Sequence, residues 1–325
     1  MVPKSSREMG TQCQSSTTVI SVTRSMFSWV LTSKRVPFLL TSDHQISGCQ
    51  VSATTQAPRV PLRTPVLNFL SATWMAVVPT GEYYLDTLQF DTAEPVLSNF
   101  QFAQASTSSP GILGVADKNQ EASQSTYNNL PWALQSAGIT SKASYSLFLG
   151  PDGGSGSIIF GGIDTEKYTG TLAPYNIDSS ANGLAVDIQT VNFGGKTISV
   201  NAAALLDSGT SLGLLTKELI QELDVLFSTT VVSQGSIQYR QTSCNQPTDQ
   251  FLEFNFGSNT ISLSYADAIV KQDDGTCLLG FGYDNNIVIL GDVFLRKAYV
   301  YYDLTDQTIS LAQASYSSNS NIISA

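Results

Sequence analysis

The stretch Leu205-Leu206-Asp207-Ser208-Gly209-Thr210-Ser211 constrains the fold of this chain more than any other segment. Two apolar residues lead into an aspartate, and a Ser-Gly pair with further hydroxyls follows it. If a strand ends at Leu206, the Asp207 carboxylate lies at a sheet edge, because Gly209 permits a tight turn there. Backbone N–H groups and hydroxyls of that turn can hydrogen-bond the carboxylate. Taken alone, the segment also fits an Asx-type turn in a β-hairpin.

The composition favours a β-rich protein of the secreted type. The chain has 325 residues, long enough for a two-lobed domain with a sizeable core, and only 13% of them are charged. A net charge of −10 argues against nucleic acid and anionic membranes as partners. One His and four Cys leave no plausible zinc cluster, and no dinucleotide or P-loop motif occurs, so no cofactor or metal is implied.

The charges divide the chain near residue 80. Residues 1–80 hold seven of the 16 Lys and Arg but only two acids, Glu8 and Asp43. All 13 Tyr lie after residue 82, and of the 24 Gly only Gly10 and Gly48 precede residue 81. Residues 1–80 therefore differ in composition from the rest of the chain.

Three downstream segments accompany the Asp207 stretch: Ile289–Arg296 (Ile-Leu-Gly-Asp-Val-Phe-Leu-Arg), Tyr301–Leu304 and Ile309–Gln313. Together they resemble the C-terminal lobe of pepsin-like aspartic proteases, most closely the secreted yeast enzymes of the candidapepsin and yapsin type. The resemblance implies an all-β, bilobal pepsin-like fold in which the N-terminal lobe of this chain is incomplete.

Two segments nearer the N-terminus extend this resemblance. Gly111–Gly114 matches the hydrophobic-hydrophobic-Gly element of the first lobe, the pseudo-symmetric partner of Ile289–Gly291, and Ser157–Asp164 is also typical of the family. The resemblance thus covers about residues 81–325. It predicts the remainder of an N-terminal lobe over 81–174 and a C-terminal lobe over 175–325, which meet near Leu172–Ile177.

The N-terminal segment, residues 1–80, admits three interpretations. A basic, acid-poor, Ser/Thr-rich N-terminus fits a transit peptide or a disordered tail, and the third interpretation is translation in the wrong reading frame. The genetic code can test the third. If the last base of each codon is read with the first two of the next, suitable codons across Leu40–Val51 encode Asp, an aliphatic residue or Phe, and Gly-Ser-Ser. This resembles the first catalytic segment of the family, Asp-Thr-Gly-Ser-Ser, in all but the threonine.

The same shift across Ser71–Gly81 allows Ser-Tyr-Leu-Asp-Gly-Ser, which resembles the flap of the family, and Gly81–Leu88 then continues in register. We therefore predict that residues 1–80 form a non-native segment with little structure and no packing against the rest. Four residues of this segment would then have no evolved role: Cys13, His44, Cys49 and Trp74.

Local patterns after residue 80 predict short strands separated by Gly, Asn, Asp and Pro. Two stretches are predicted to be helical, Ser125–Ser136 and Thr216–Phe227. The predicted strands are Tyr84–Phe90, Tyr145–Leu149, Ser157–Phe160, Ala185–Phe193, Thr197–Val200, Phe251–Phe256, Ile261–Leu263 and Ile287–Leu290.

The family resemblance implies roles for individual residues. Asp207 matches the catalytic aspartate of the second lobe, and Ser208 matches the hydroxyl residue that braces the two catalytic loops. Gly209 lets N–H groups approach the carboxylate, and Thr210 can bind its outer oxygen. Asp292, by contrast, matches a structural position. Cys244 and Cys277 are expected to form a structural disulfide.

The resemblance further implies a secreted aspartic endopeptidase, active at acid pH through a water activated by two aspartates. The first Asp and the flap are missing from this chain, so we predict that it is inactive; the alternative is a non-catalytic remnant or a peptide-binding lobe. The expected partner is a peptide or protein substrate, without nucleic acid or a membrane span, and we expect a monomer. An extracellular location is expected for the intact family member, although no secretory signal peptide and no GPI-anchor tail are visible.

Overall fold

The computed structural model describes residues 20–23, 29–31, 34–36, 38–40, 52–53, 81–89, 95–105, 111–120, 125–181, 183–234 and 237–325. Short strands dominate throughout. The strands up to the predicted lobe junction are β1 (Ile20–Thr23), β2 (Trp29–Leu31), β3 (Lys34–Val36), β4 (Phe38–Leu40), β5 (Ser52–Ala53), β6 (Gly81–Gln89), β7 (Pro95–Ala105), β8 (Gly111–Leu113), β9 (Ser144–Phe148), β10 (Ser157–Phe160), β11 (Gly162–Asp164) and β12 (Tyr168–Asn176).

The later part of the chain continues this pattern. Its strands are β13 (Ala185–Phe193), β14 (Lys196–Leu206), β15 (Gly213–Leu215), β16 (Thr230–Gln234), β17 (Ile237–Thr242), β18 (Phe251–Asn255), β19 (Thr260–Ser264), β20 (Ile269–Lys271), β21 (Cys277–Leu279), β22 (Phe281–Tyr283), β23 (Val288–Leu290), β24 (Ala298–Asp303), β25 (Thr308–Ala314) and β26 (Ile322–Ser324). In the described residues the helices are α1 (Leu130–Ser136), α2 (Lys217–Leu226), α3 (Asp292–Leu295) and a 3-10 turn at Lys118–Gln120. The prediction of an all-β protein is confirmed.

A six-stranded sheet joins the early and late parts of the chain. Its order is β1-β10-β9-β24-β25-β12, so strands from both predicted lobes contribute to one ladder. All residues of the central strands β9 and β24 are buried, so both faces of the sheet are covered at these two strands. Tyr145 on β9 is the direct antiparallel partner of Tyr302 on β24.

A seven-stranded sheet of order β19-β18-β13-β14-β23-β15-β22 is built entirely from residues after 184. The alternating sequence of β13 buries Val186, Ile188 and Val191, as a half-buried strand requires. Within this sheet β14 runs parallel to β23, with Leu206 opposite Leu290. The ends of these two strands therefore lie side by side, and Asp207 follows one of them directly.

One of the two predicted helices agrees with the structure, and the other begins later than predicted. Thr216–Phe227 agrees with α2 and its two caps, and Thr216 Oγ1 accepts from the Leu219 N–H at 3.4 Å. Helix α1 begins later than predicted, at Leu130, because Asn129 is extended and Pro131 occupies the first turn. The stretch Ser125–Asn129 was predicted to be helical but has no helical backbone, in keeping with the preference of Ser, Thr and Asn for caps and turns.

Within residues 1–80 the structure describes only the short strands β1 to β5. Two of these strands pair with later ones, β1 with β10 and β4 with β8. The two segments of the shifted reading frame, Leu40–Val51 and Ser71–Gly81, lie outside the described residues apart from Leu40 and Gly81 at their ends. The non-native character of residues 1–80 and the lobe boundary near Leu172–Ile177, which begins within β12, stay predictions.

Candidate active site around Asp207

Asp207 lies in the turn that follows β14, before β15 begins at Gly213. Both of its carboxylate oxygens accept hydrogen bonds from the turn. The Gly209 N–H donates to Oδ1 at 2.8 Å, and the Thr210 hydroxyl donates to Oδ2 at 2.6 Å. Because a carboxylate held by two donors is favoured in its charged form, this turn is suited to presenting an anion.

The backbone of β23 and the start of α3 hold this turn in place. The Asp207 N–H donates to the Leu290 carbonyl at 3.2 Å, and the Asp292 N–H donates to the Thr210 carbonyl at 2.8 Å. Gly291 allows this approach, since an added Cβ there would lie 2.1 Å from the Thr210 carbonyl oxygen. Position 291 of the Ile-Leu-Gly segment therefore requires glycine, because any side chain there would collide with the Thr210 carbonyl.

Two buried tyrosines lie beneath the turn. Tyr302 donates its hydroxyl to the Leu206 carbonyl at 3.3 Å, and its ring stacks on that of Tyr145 with a centroid distance of 4.7 Å. Burial, and next the charge of Asp207, raise the pKa of Tyr302; for Tyr145 the pKa is raised by burial, then by Tyr302 and Asp207. Both hydroxyls therefore stay protonated. Neither tyrosine was predicted from the sequence to be a site residue.

The other residues implied by the resemblance take up these positions. Ser208 and Gly209 are half-buried in the turn, whereas Thr210 is buried. Asp292 is also buried and begins α3. Cys244 and Cys277 form the expected disulfide, with their Cα atoms 5.2 Å apart, so that prediction is confirmed. The catalytic roles of Asp207, Ser208, Gly209 and Thr210 stay predictions.

The two acids of the N-terminal segment, Glu8 and Asp43, lie outside the described residues. Among the described residues, no group of three or more His, Cys, Asp and Glu side chains could hold a metal ion. The described helices are all too short or too polar to cross a membrane.

The sequence model of the family described as eukaryotic aspartyl protease matches residues 74–314. The similar curated proteins include a candidapepsin of Candida tropicalis, which is 39% identical over 246 residues that cover 74% of this chain and 61% of the relative. Secreted aspartic protease 8 of Candida albicans is 40% identical over 248 residues, which cover 74% of this chain and 58% of the relative. The chain thus matches about three fifths of the length of these relatives.

The crystal structure of an aspartic proteinase from Irpex lacteus has a similar fold. Its TM-score is 0.61 at 20% sequence identity, and the superposition covers 92% of this chain and 91% of that one. The predicted all-β, two-lobed pepsin-like fold is confirmed by this likeness. With the family model matching residues 74–314, the chain belongs to the eukaryotic aspartyl protease family.

Proposed function

We propose that this protein derives from a secreted aspartic endopeptidase in which Asp207 is one of two catalytic carboxylates. The observation that carries the proposal is the hydrogen bonding of the Asp207 carboxylate, which accepts from the Gly209 N–H and from the Thr210 hydroxyl. An aspartate held in this way directly after the buried Leu206, the last residue of β14, is positioned to accept a proton from water. The names of the secreted Candida relatives support an extracellular, peptide-cleaving protein. We expect it to act as a monomer without nucleic acid.

The chemistry requires a second carboxylate close to Asp207. Two carboxyl groups at one site share a single proton, because ionising both is costly. The ionised group takes a proton from a bound water, whose oxygen attacks the scissile carbonyl carbon. The protonated group gives its proton to the carbonyl oxygen, which forms a tetrahedral intermediate. The proton taken from water then passes to the amide nitrogen, the C–N bond breaks and the amine leaves, and a hydroxyl proton of the intermediate returns to the pair of carboxyl groups.

We propose further that the present sequence lacks the first of these carboxylates and is inactive. Glu8 and Asp43 are the only acids before residue 81, and neither stands in an Asp-x-Gly sequence. The family match begins only at residue 74 and so leaves out residues 1–73, most of the segment proposed to be out of frame. The second candidate function is therefore a non-catalytic remnant that at most binds peptides.

The test is peptide hydrolysis at acid pH by two proteins, each beside its Asp207→Asn variant. One protein is the chain as its sequence stands, and the other has residues 40–80 restored to the shifted frame. The restored protein should cleave a broad peptide substrate and be inhibited by pepstatin, whose hydroxyl mimics the tetrahedral intermediate. The Asp207→Asn substitution should abolish this activity without loss of the fold.

Each arm has an outcome that contradicts its part of the proposal. Full activity in the restored Asp207→Asn variant would remove Asp207 from the catalytic site. Pepstatin-sensitive hydrolysis by the unaltered chain, above its own Asn control, would show that a first-lobe acid completes the pair. If neither protein hydrolyses peptides, the non-catalytic remnant becomes the better assignment.

A further inference from the structure

We propose that Tyr302 is a positioning residue that supports the Asp207 turn by a hydrogen bond to the backbone of Leu206. This inference rests on the proposed function of Asp207. The Tyr302 hydroxyl donates to the Leu206 carbonyl oxygen at 3.3 Å, and Leu206 is the last residue of β14 before Asp207. Tyr302 and Leu206 are 2% and 5% exposed. The contact is therefore shielded from water, where losing a hydrogen-bond donor costs most.

Tyr302 is well placed for this role because its own position is determined on several sides. It lies in β24, a strand in which every residue is buried. Its ring stacks on that of Tyr145, its direct partner in the ladder, with an interplanar angle of 20°. A side chain fixed by its strand and by a stacked ring can hold a hydrogen bond with little loss of conformational entropy.

The contact also connects two parts of the molecule. β9 and β24 belong to the six-stranded sheet, whereas β14 belongs to the seven-stranded sheet that carries Asp207. The hydroxyl of Tyr302 thus links the sheet that both parts of the chain share to the last carbonyl before Asp207. The other side of the turn is held by the main chain of Leu290 and Asp292. We infer that these contacts together hold the Gly209 and Thr210 donors in line with the carboxylate.

The neighbouring tyrosine of the same strand provides a matched control. Tyr301 is also buried, at 7% exposure, and its hydroxyl oxygen lies 3.5 Å from the Asp303 carboxylate. Because successive side chains of a strand point to opposite faces, Tyr301 faces away from Leu206. Tyr302→Phe and Tyr301→Phe therefore each remove one buried hydroxyl and keep the ring, but only the first removes a donor to Leu206.

The experiment uses the full chain and needs no peptide hydrolysis. Amide hydrogen exchange at Gly209, followed by NMR, reports on the donor to Asp207 Oδ1. The carboxyl ¹³C shift of Asp207 at one fixed pH reports on the hydrogen bonds that its carboxylate accepts, with Asp207→Asn for assignment. In Tyr302→Phe we expect exchange at Gly209 to be about fivefold faster or more, the factor that one lost hydrogen bond supplies. We also expect the carboxyl ¹³C signal of Asp207 to shift in this variant, because its hydrogen-bond donors are held less well.

Tyr301→Phe should leave both measurements as they are in the unaltered chain. The proposal is overturned if Tyr302→Phe changes neither of them, or if Tyr301→Phe changes both to the same extent. Global unfolding of Tyr302→Phe, seen by circular dichroism, would also overturn it, since the hydroxyl would then serve the whole fold. If neither the unaltered chain nor the restored chain hydrolyses peptides, that result would count against the proposed function alone. The exchange and ¹³C measurements do not depend on turnover.

Discussion

Removal of the Cys244–Cys277 disulfide should destabilise the later part of the chain by about 4 kcal/mol. The two residues are separated by 33 positions, and loop closure of that length accounts for this value in the chain-entropy treatment. Cys277 pairs with Thr242 in the β17–β21 ladder, and Cys244 lies just beyond the end of β17. The bridge thus continues an existing ladder, so its loss acts chiefly by giving the unfolded chain more freedom.

The variant is the double substitution Cys244→Ala and Cys277→Ala. Cys277 is 2% exposed, so alanine avoids placing a new polar group in the core. All three tryptophans lie before residue 133, so far-UV circular dichroism is a better reporter of the later strands than tryptophan fluorescence. For a unit of roughly 150 residues, the loss corresponds to a Tm lower by about 8–16 °C.

The matched control is Cys13→Ala with Cys49→Ala, the two other cysteines of the chain. We expect no change in Tm, because residues 1–80 are predicted to contribute no native packing. A loss of less than about 1 kcal/mol in the first variant would refute the loop-closure reasoning. An equal loss in both variants would instead refute the prediction that residues 1–80 are non-native.

Two further predictions concern packing and charge. Gly291→Ala should destabilise the protein by about 3 kcal/mol in urea unfolding, because the added Cβ would lie 2.1 Å from the Thr210 carbonyl oxygen. Gly114→Ala should be tolerated, because a Cβ there meets no atom within 4 Å. Lys142→Met should lower the free energy of unfolding by about 2 kcal/mol, after allowing for the partial exposure of Lys142, because the buried Asp303 loses its cation at 2.7 Å. Lys196 lies in an exposed ion pair, so Lys196→Met should lower it by at most about 0.5 kcal/mol. The hydrogen bond that Lys142 donates to Asp303 raises the pKa of Lys142. The stability that Lys142 contributes should therefore be complete below the unfolded lysine pKa of about 10.4 and be lost as pH rises further. Equal losses for either pair of variants would contradict the corresponding explanation.

Much of the fold was predictable because its signals are local. Ala185–Phe193 is rich in β-forming residues and forms β13 with the predicted bounds. The helix predicted over Thr216–Phe227 agrees with α2, whose N-cap Thr216 accepts a hydrogen bond from a residue only three positions further on. The start of α1 was predicted wrongly, because the residues just before Leu130 have no Gly or Pro to mark them as non-helical, and Pro131 alone signals the first turn.

The sequence by itself determined the family, the disulfide pair and the identity of Asp207 as the candidate catalytic residue. These depend on residue types at short spacing, which a single chain displays directly. Only the tertiary structure decided what lies beneath Asp207. Tyr302 is 96 residues from Leu206 in the chain, and their contact exists because the six-stranded and seven-stranded sheets meet there. Likewise, the need for glycine at position 291 appears only when the Thr210 carbonyl packs against it, because close approach is a property of two segments together.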